Sequence, residues 1–169
     1  MKTNLVIIGW DEKATKNLAK QISTSFDKIY ADVEDLLEYY LTDSQTNIKQ
    51  LCGVEYLDEL KSKIMKEISN YDNAVIYLPL YLFVSQDNWK VLSKNAFIIF
   101  IDIKDCLIKD MYVSDPLPQQ QIALKTLTLR NRIDFCRLKC DCKITCNVAD
   151  FNKSYKTISQ TIKKYLSQK

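Results

Sequence analysis

Short apolar runs alternate along this chain with stretches whose apolar residues recur every three to four positions, and that alternation limits the fold more than any other feature. Leu5-Val6-Ile7-Ile8 reads as a buried strand, and residues 15–23 read as a helix with Leu18, Ala19 and Ile22 on one face. Residues 28–33 form a short strand leading into a helix over 35–41. A long helix covers 54–68, with Tyr56, Leu57, Leu60, Ile64 and Ile68 at helical spacing. Residues 74–83 are β-prone, and Pro79, which has no N–H to give a ladder, marks the strand's end. Ser85 is placed to cap a short helix running through Leu92. Residues 96–101 are the clearest buried strand, and 105–111 read as a short helix. Ser114-Asp115-Pro116-Leu117-Pro118 is a loop. Residues 119–139 make one long helix or a broken pair, 140–148 a final strand and 152–166 a closing amphipathic helix. Strands alternating with helices imply βαβ crossovers and a mostly parallel sheet covered on both faces, an α/β fold.

The 169 residues suit one domain with a real core. Hydrophobic residues make up 47% and charged residues 27%, and 24 basic against 21 acidic side chains leave a formal charge of +3. The lysines are scattered, which argues against a nucleic-acid footprint. No apolar run approaches the roughly 18 residues that cross a membrane. The run from Leu5 to Ile8 is also too short for a signal-peptide core. The expectation is a cytoplasmic protein whose six cysteines are reduced.

Two scarcities narrow the chemistry. Histidine is absent, which removes the commonest general base and every histidine-dependent triad or metal site. Glycine occurs only at Gly9 and Gly53, so no glycine-rich phosphate cradle can be assembled. The segment after the first strand, Ile8-Gly9-Trp10-Asp11-Glu12-Lys13-Ala14-Thr15, keeps a glycine, a lysine and a threonine of the pattern G-x-x-x-x-G-K-[ST]. It lacks the second glycine, is shorter, and sets Asp11 and Glu12 where phosphate oxygens would lie.

Cys136, Cys140, Cys142 and Cys146 form the spacing C-x₃-C-x-C-x₃-C. Four thiolates can hold zinc or an iron–sulfur cluster, although this spacing is not a standard knuckle. On a strand, Cys140, Cys142, Ile144 and Cys146 would share one face, as small core hydrophobes do. The tyrosines at 30, 39, 40, 56, 77 and 81 have no basic stripe between them and read as packing groups. Asp102 ends a strand, where it can serve as a Walker-B-type carboxylate or as a helix cap.

Several segments together resemble the shikimate kinase family of P-loop kinases. Asn17-Leu18-Ala19-Lys20 is similar to that family's first helix, and Tyr30-Ala31-Asp32-Val33-Glu34-Asp35-Leu36-Leu37-Glu38 to its F-x-D-x-D-x-x-I-E segment. Asp72-Asn73-Ala74-Val75-Ile76 and Ser85-Gln86-Asp87-Asn88 resemble the strand and helix flanking its Gly-Gly-Gly loop. Phe97 to Asp102 resembles its fourth strand, and Arg132-Ile133-Asp134-Phe135-Cys136 its R-x-P-L-Y motif.

The resemblance implies a three-layer α/β/α domain with a five-stranded parallel sheet. It also implies roles. Asp32 stands at the magnesium-supporting aspartate, Lys13 and Thr15 at nucleotide-binding positions, Glu34 at the substrate-hydroxyl aspartate and Arg132 at the substrate-carboxylate arginine. Other positions depart from the pattern. Asp58 replaces a second substrate arginine, Pro79-Leu80-Tyr81 replaces the Gly-Gly-Gly loop and would fill the pocket, and Asp115-Pro116-Leu117-Pro118 replaces the lid's R-P-L-L. Phosphoryl transfer depends on positioning and on positive charge around the γ-phosphate. The expectation is therefore a pseudokinase without a cofactor, acting by binding a protein partner or a small anionic ligand. A kinase with a rebuilt site for ATP and Mg²⁺, and a cysteine-based metal or redox protein, are the alternatives.

Overall fold

The first strand, β1 (Asn4–Gly9), is buried along its whole length, which is why it reads as an unbroken apolar run. The computed structural model describes residues 2–41, 45–82, 85–102, 118–145 and 151–167. Within them, β1 is followed by α1 (Glu12–Ser25), β2 (Ile29–Asp32), α2 (Val33–Tyr40), α3 (Gln45–Ser69) and β3 (Ala74–Pro79). A 3₁₀ turn (Leu80–Leu82), α4 (Gln86–Asn95), β4 (Ala96–Asp102), α5 (Gln119–Lys139), β5 (Cys142–Thr145) and α6 (Phe151–Ser167) complete the order.

The five strands lie in the order β2-β3-β1-β4-β5, and every pairing is parallel. Alternate side chains of each strand point to opposite faces. Val6, Ile8, Ile76, Leu78, Ile98 and Phe100 pack under residues of α2, α3, α4 and α5. Leu5, Ile7, Val75, Tyr77 and Ile99 pack under Leu18, Ala19 and Ile22 of α1 and Ile158 and Ile162 of α6. The result is the three-layer α/β/α architecture with a five-stranded parallel sheet. The chain leaves β1 toward β2 on one side and later returns to β4 on the other. The carboxyl end of β1 is thus the switch point where such sheets hold ligands.

Caps set several boundaries. Helix α1 starts at Glu12, earlier than residue 15, because Asp11 Oδ1 accepts from Ala14 N at 2.8 Å. Helix α2 starts directly after β2 because Asp32 caps it. Ser85 caps α4 as its sequence suggests, accepting from Asn88 N at 3.2 Å, and α4 runs on to Asn95. Gly53 interrupts α3 at φ 84°, a backbone conformation that favours glycine, so the helix expected from residue 54 is its second segment. Residues 119–139 are one helix rather than a broken pair. The final strand is shorter than 140–148, with Cys140 serving as the carboxyl cap of α5. The helix expected over 105–111 and the loop over 114–117 lie outside the described residues. No helix among the described residues is long and apolar enough to cross a membrane.

Candidate functional site

Only Trp10 and Asp11 separate β1 from α1. In a P-loop the corresponding stretch is long and glycine-rich, so that backbone N–H groups and the helix N-terminus can surround phosphate. Here the turn is short and Asp11 caps the helix itself. Ala14 N donates to the Asp11 carboxylate and Thr15 N donates to the Asp11 carbonyl, both at 2.8 Å. Glu12 adds a second carboxylate to the first turn. Desolvation, then repulsion from Glu34 and from Asp11, raises its pKa above the ordinary carboxylate value.

Gly9 is needed for packing. A Cβ built on it would meet Thr15 Oγ1 at 2.2 Å and Ile101 Cβ at 3.2 Å, so the glycine lets α1 sit close on the sheet. Thr15 is itself buried against that contact. Lys13 is exposed on α1.

Asp32 ends β2 and is buried, and its carboxylate has several partners. It accepts from Glu34 N at 3.0 Å, from Asp35 N at 3.4 Å and from the Tyr30 hydroxyl at 2.9 Å, and it faces Lys16 Nζ at 2.7 Å. Lys16 also reaches Asp35 at 3.0 Å. The hydrogen bond to Asp32 is the main reason the Lys16 pKa rises. Glu34, on the first turn of α2, accepts a hydrogen bond from the Tyr81 hydroxyl. The Tyr77 hydroxyl is buried with no hydrogen-bond partner. After burial, the charges of Glu12, Glu34, Asp32 and Asp11 raise its pKa.

A cavity of about 390 Å³ opens beside this acidic group, between the β1–α1 turn, the 3₁₀ turn and α5. Trp10, Glu12, Leu80, Tyr81, Leu129 and Arg132 line it, together with Lys125 of α5. Tyr81 and Leu80 form part of the cavity wall.

No protein-family model matches the sequence, and no curated protein is significantly similar to it. Solved structures do match over nearly the whole chain. Shikimate kinase from Acinetobacter baumannii in complex with shikimate gives a TM-score of 0.73, covering 99% of this chain and 94% of that one at 15% identity. Shikimate kinase from Aquifex aeolicus gives 0.72, covering 96% and 98% at 18% identity. Dephospho-CoA kinase from Campylobacter jejuni gives 0.64, covering 97% and 98% at 13% identity. The fold is shikimate-kinase-like.

Within that shikimate-kinase-like frame, Arg132 lies at the cavity, while Asp58 lies elsewhere. Asp58 pairs with Lys61 at 3.8 Å and lines a separate cleft with Glu55, Glu59 and Lys63. Asp102 is buried at the end of β4, and Arg137 Nε donates to its Oδ1 at 2.8 Å, so this carboxylate is held by α5. Asp115, Pro116 and Leu117 lie outside the described residues.

The cysteines are divided by the sheet. Cys136 and Cys140 belong to the face under α5, while Cys142 belongs with Ile144 to the face under α1 and α6. Cys140 and Cys142 therefore do not share a face as a strand pattern suggested, because Cys140 is a helix cap. No group of three or more metal-ligating side chains comes together among the described residues, and Cys146 lies outside them. The sequence alone did not reveal the roles of Lys16 and Arg137. Each reads as a polar helix residue, and only the tertiary packing aims it at a strand-end aspartate.

Proposed function

We propose that this shikimate-kinase-like chain is a pseudokinase that binds a small molecule in its cleft and transfers no phosphoryl group. The observation that carries this reading is the amino end of α1, where the Asp11 carboxylate takes the Ala14 amide that a phosphate could otherwise use. Asp11, Glu12, Asp32 and Glu34 all bear on the Tyr77 hydroxyl, which makes this end of the sheet strongly acidic. Even at an effective dielectric of 20, two like charges about 4 Å apart repel by roughly 4 kcal/mol. A triphosphate brought here meets carboxylates where catalysis calls for cations.

The residues do not fit ATP with Mg²⁺ in other respects. Thr15 is buried against Gly9, Lys13 is exposed on the helix, and the Asp32 carboxylate is taken up by Lys16, Tyr30 and two backbone amides. The vestigial roles of Lys13, Thr15 and Asp32 are thus structural or solvent-facing. Arg132 lines a cavity whose Tyr81 wall is held by Glu34, and this supports a ligand-binding role, with regulation of a protein partner as its outlet.

Calorimetry and thermal shift with ATP–Mg²⁺ and ADP, followed by a coupled assay with shikimate, test the reading. No nucleotide binding at millimolar concentration and no turnover are expected. Micromolar nucleotide binding, or ATP-dependent phosphorylation of shikimate, overturns it.

A further inference from the structure

We propose that a cavity between the carboxyl end of α1 and α6 binds a small phosphate monoester through its phosphate group. This cavity shares no lining residue with the cleft beside Arg132, so the proposal stands apart from the pseudokinase reading.

Ser25 and Phe26, at the end of α1, line one side of a space of about 300 Å³. Lys156, Ser159, Gln160 and Lys163 of α6 line the other. Those four positions follow the three- and four-residue spacing that sets side chains on one helix face. Ile158 and Ile162 are buried against the sheet, which leaves the polar stripe on the flank that meets α1. Two lysines contribute charge, and no carboxylate lines the cavity among the described residues. Neither ammonium is engaged in an ion pair among those residues.

Hydrogen-bond donors exceed acceptors here. The Ser25 and Tyr155 hydroxyls lie 2.6 Å apart, and whichever of them donates, the other keeps a hydrogen to give. Ser159 Oγ is buried beside the Tyr155 phenol and reaches no partner in hydrogen-bond geometry. A buried hydroxyl in that state is uncommon in a folded protein and is met when a ligand accepts from it. The carbonyl end of α1 does not oppose an anion, because its last acceptors are taken. Ile22 O accepts from Phe26 N at 3.0 Å, Ser23 O from Lys28 N at 2.9 Å and Thr24 O from Asp27 N at 3.4 Å. A phosphate dianion brings two charges for the two lysines and three strong acceptor oxygens for the hydroxyls and the Gln160 amide. A carboxylate brings one charge and leaves an ammonium unmet. The Phe26 ring gives the carbon part of an ester an apolar wall. The volume falls at the lower end for ligand cavities, which suits an ester of a few carbons rather than a nucleotide.

The test titrates the whole chain with glycerol 3-phosphate, against inorganic phosphate, glycerol and propionate. Calorimetry gives the affinities, and the backbone amide resonances of Ser159 and Gln160 report whether binding occurs in this cavity. Glycerol 3-phosphate is expected to bind about ten-fold or more tightly than propionate and to shift both amides, while glycerol gives no signal. Lys156→Gln and Lys163→Gln, both at exposed positions, are each expected to weaken the ester by roughly five-fold. Lys164→Gln, on the same helix but outside the cavity, serves as the control for general charge and is expected to change the affinity by less than about two-fold. The proposal is overturned if the ester fails to bind at about 10 mM, if its binding leaves both amides unmoved, or if Lys164→Gln weakens it as much as Lys163→Gln does. Inorganic phosphate binding as tightly as the ester would overturn the monoester assignment, since the carbon part would then gain nothing from the Phe26 wall.

Discussion

The Lys16 ammonium lies 2.7 Å from Oδ2 of Asp32, whose side chain is only 2% exposed. A helix residue thereby places positive charge on the strand-end carboxylate that the shikimate kinase resemblance assigns to magnesium. Removing the cation alone leaves a buried anion with neutral hydrogen-bond donors only. Lys16→Met is therefore expected to cost about 2–4 kcal/mol, somewhat below the range for a fully buried pair because Lys16 is partly exposed. The double variant with Asp32→Asn is expected to recover part of that loss, and urea unfolding of the cycle measures it. The raised Lys16 pKa fixes the sign of the pH effect. The stabilisation is full below the ordinary lysine value and is lost as pH rises through the higher folded value.

Gly9 and Thr15 make a second coupled pair. Gly9→Ala would push a methyl group to 2.2 Å from Thr15 Oγ1, which backbone or side chain must yield to accommodate. A loss of about 1–3 kcal/mol is expected, the usual cost of overpacking. Adding Thr15→Ala removes that oxygen and is expected to restore part of the loss, while the 3.2 Å contact with Ile101 Cβ prevents full recovery. Equal destabilisation in the single and double variants, by denaturant titration, would show that Thr15 is not what the glycine accommodates.

This pair also shows why the strands were legible and the site was less so. β1, β3 and β4 are buried on both faces, so their apolar runs are continuous and stand out from the periodic helices. A glycine directly after a strand carries an ambiguous signal. It fits a phosphate loop and a close helix approach equally, and only the position of Thr15 decides between them. Asp32 is ambiguous in the same way, since a metal-supporting carboxylate and a helix cap need the same residue at the same strand end. The alternation of its neighbours places Cys140 on a strand face when the sequence is read alone. Its place as the cap of α5, with Cys140 N bonded to Cys136 O at 3.0 Å, depends on where the helix stops.

Burial sorts the thiols by reactivity. Cys136 is fully buried and its pKa is pushed up to about 12, chiefly by desolvation, whereas Cys52 is exposed on α3. Because the thiolate is the nucleophile, iodoacetamide at pH 8 is expected to label Cys52 at least ten times faster than Cys136. Peptide mass spectrometry after timed quenching reads the ratio. The Cys136 shift also predicts alkaline sensitivity. Its stabilising contribution is complete below the ordinary thiol value near 9 and is lost as pH climbs toward 12. Comparable labelling of both thiols in the folded protein would mean that α5 opens readily over the sheet.

Glu12 offers a pH test of the acidic cleft without any ligand. Its folded pKa is raised, first by desolvation and then by Glu34 and Asp11, so the protonated form is the better tolerated one. A carboxylate at a helix N-terminus ordinarily gains about 0.3–1 kcal/mol from the helix dipole, and here the neighbouring charges outweigh that gain. The relative stability contributed by protonated Glu12 is complete below its ordinary pKa and disappears as pH rises through the folded value. Glu12→Gln is therefore expected to raise the melting temperature at pH 7, by an amount equivalent to less than about 1 kcal/mol because the residue is exposed. At pH 4 the variant and the parent should melt together. High salt should shrink the difference at pH 7, since screening weakens repulsion among the carboxylates. A destabilising Glu12→Gln at pH 7 would instead mean that the helix dipole governs this turn, and that the cleft's negative charge is not in excess.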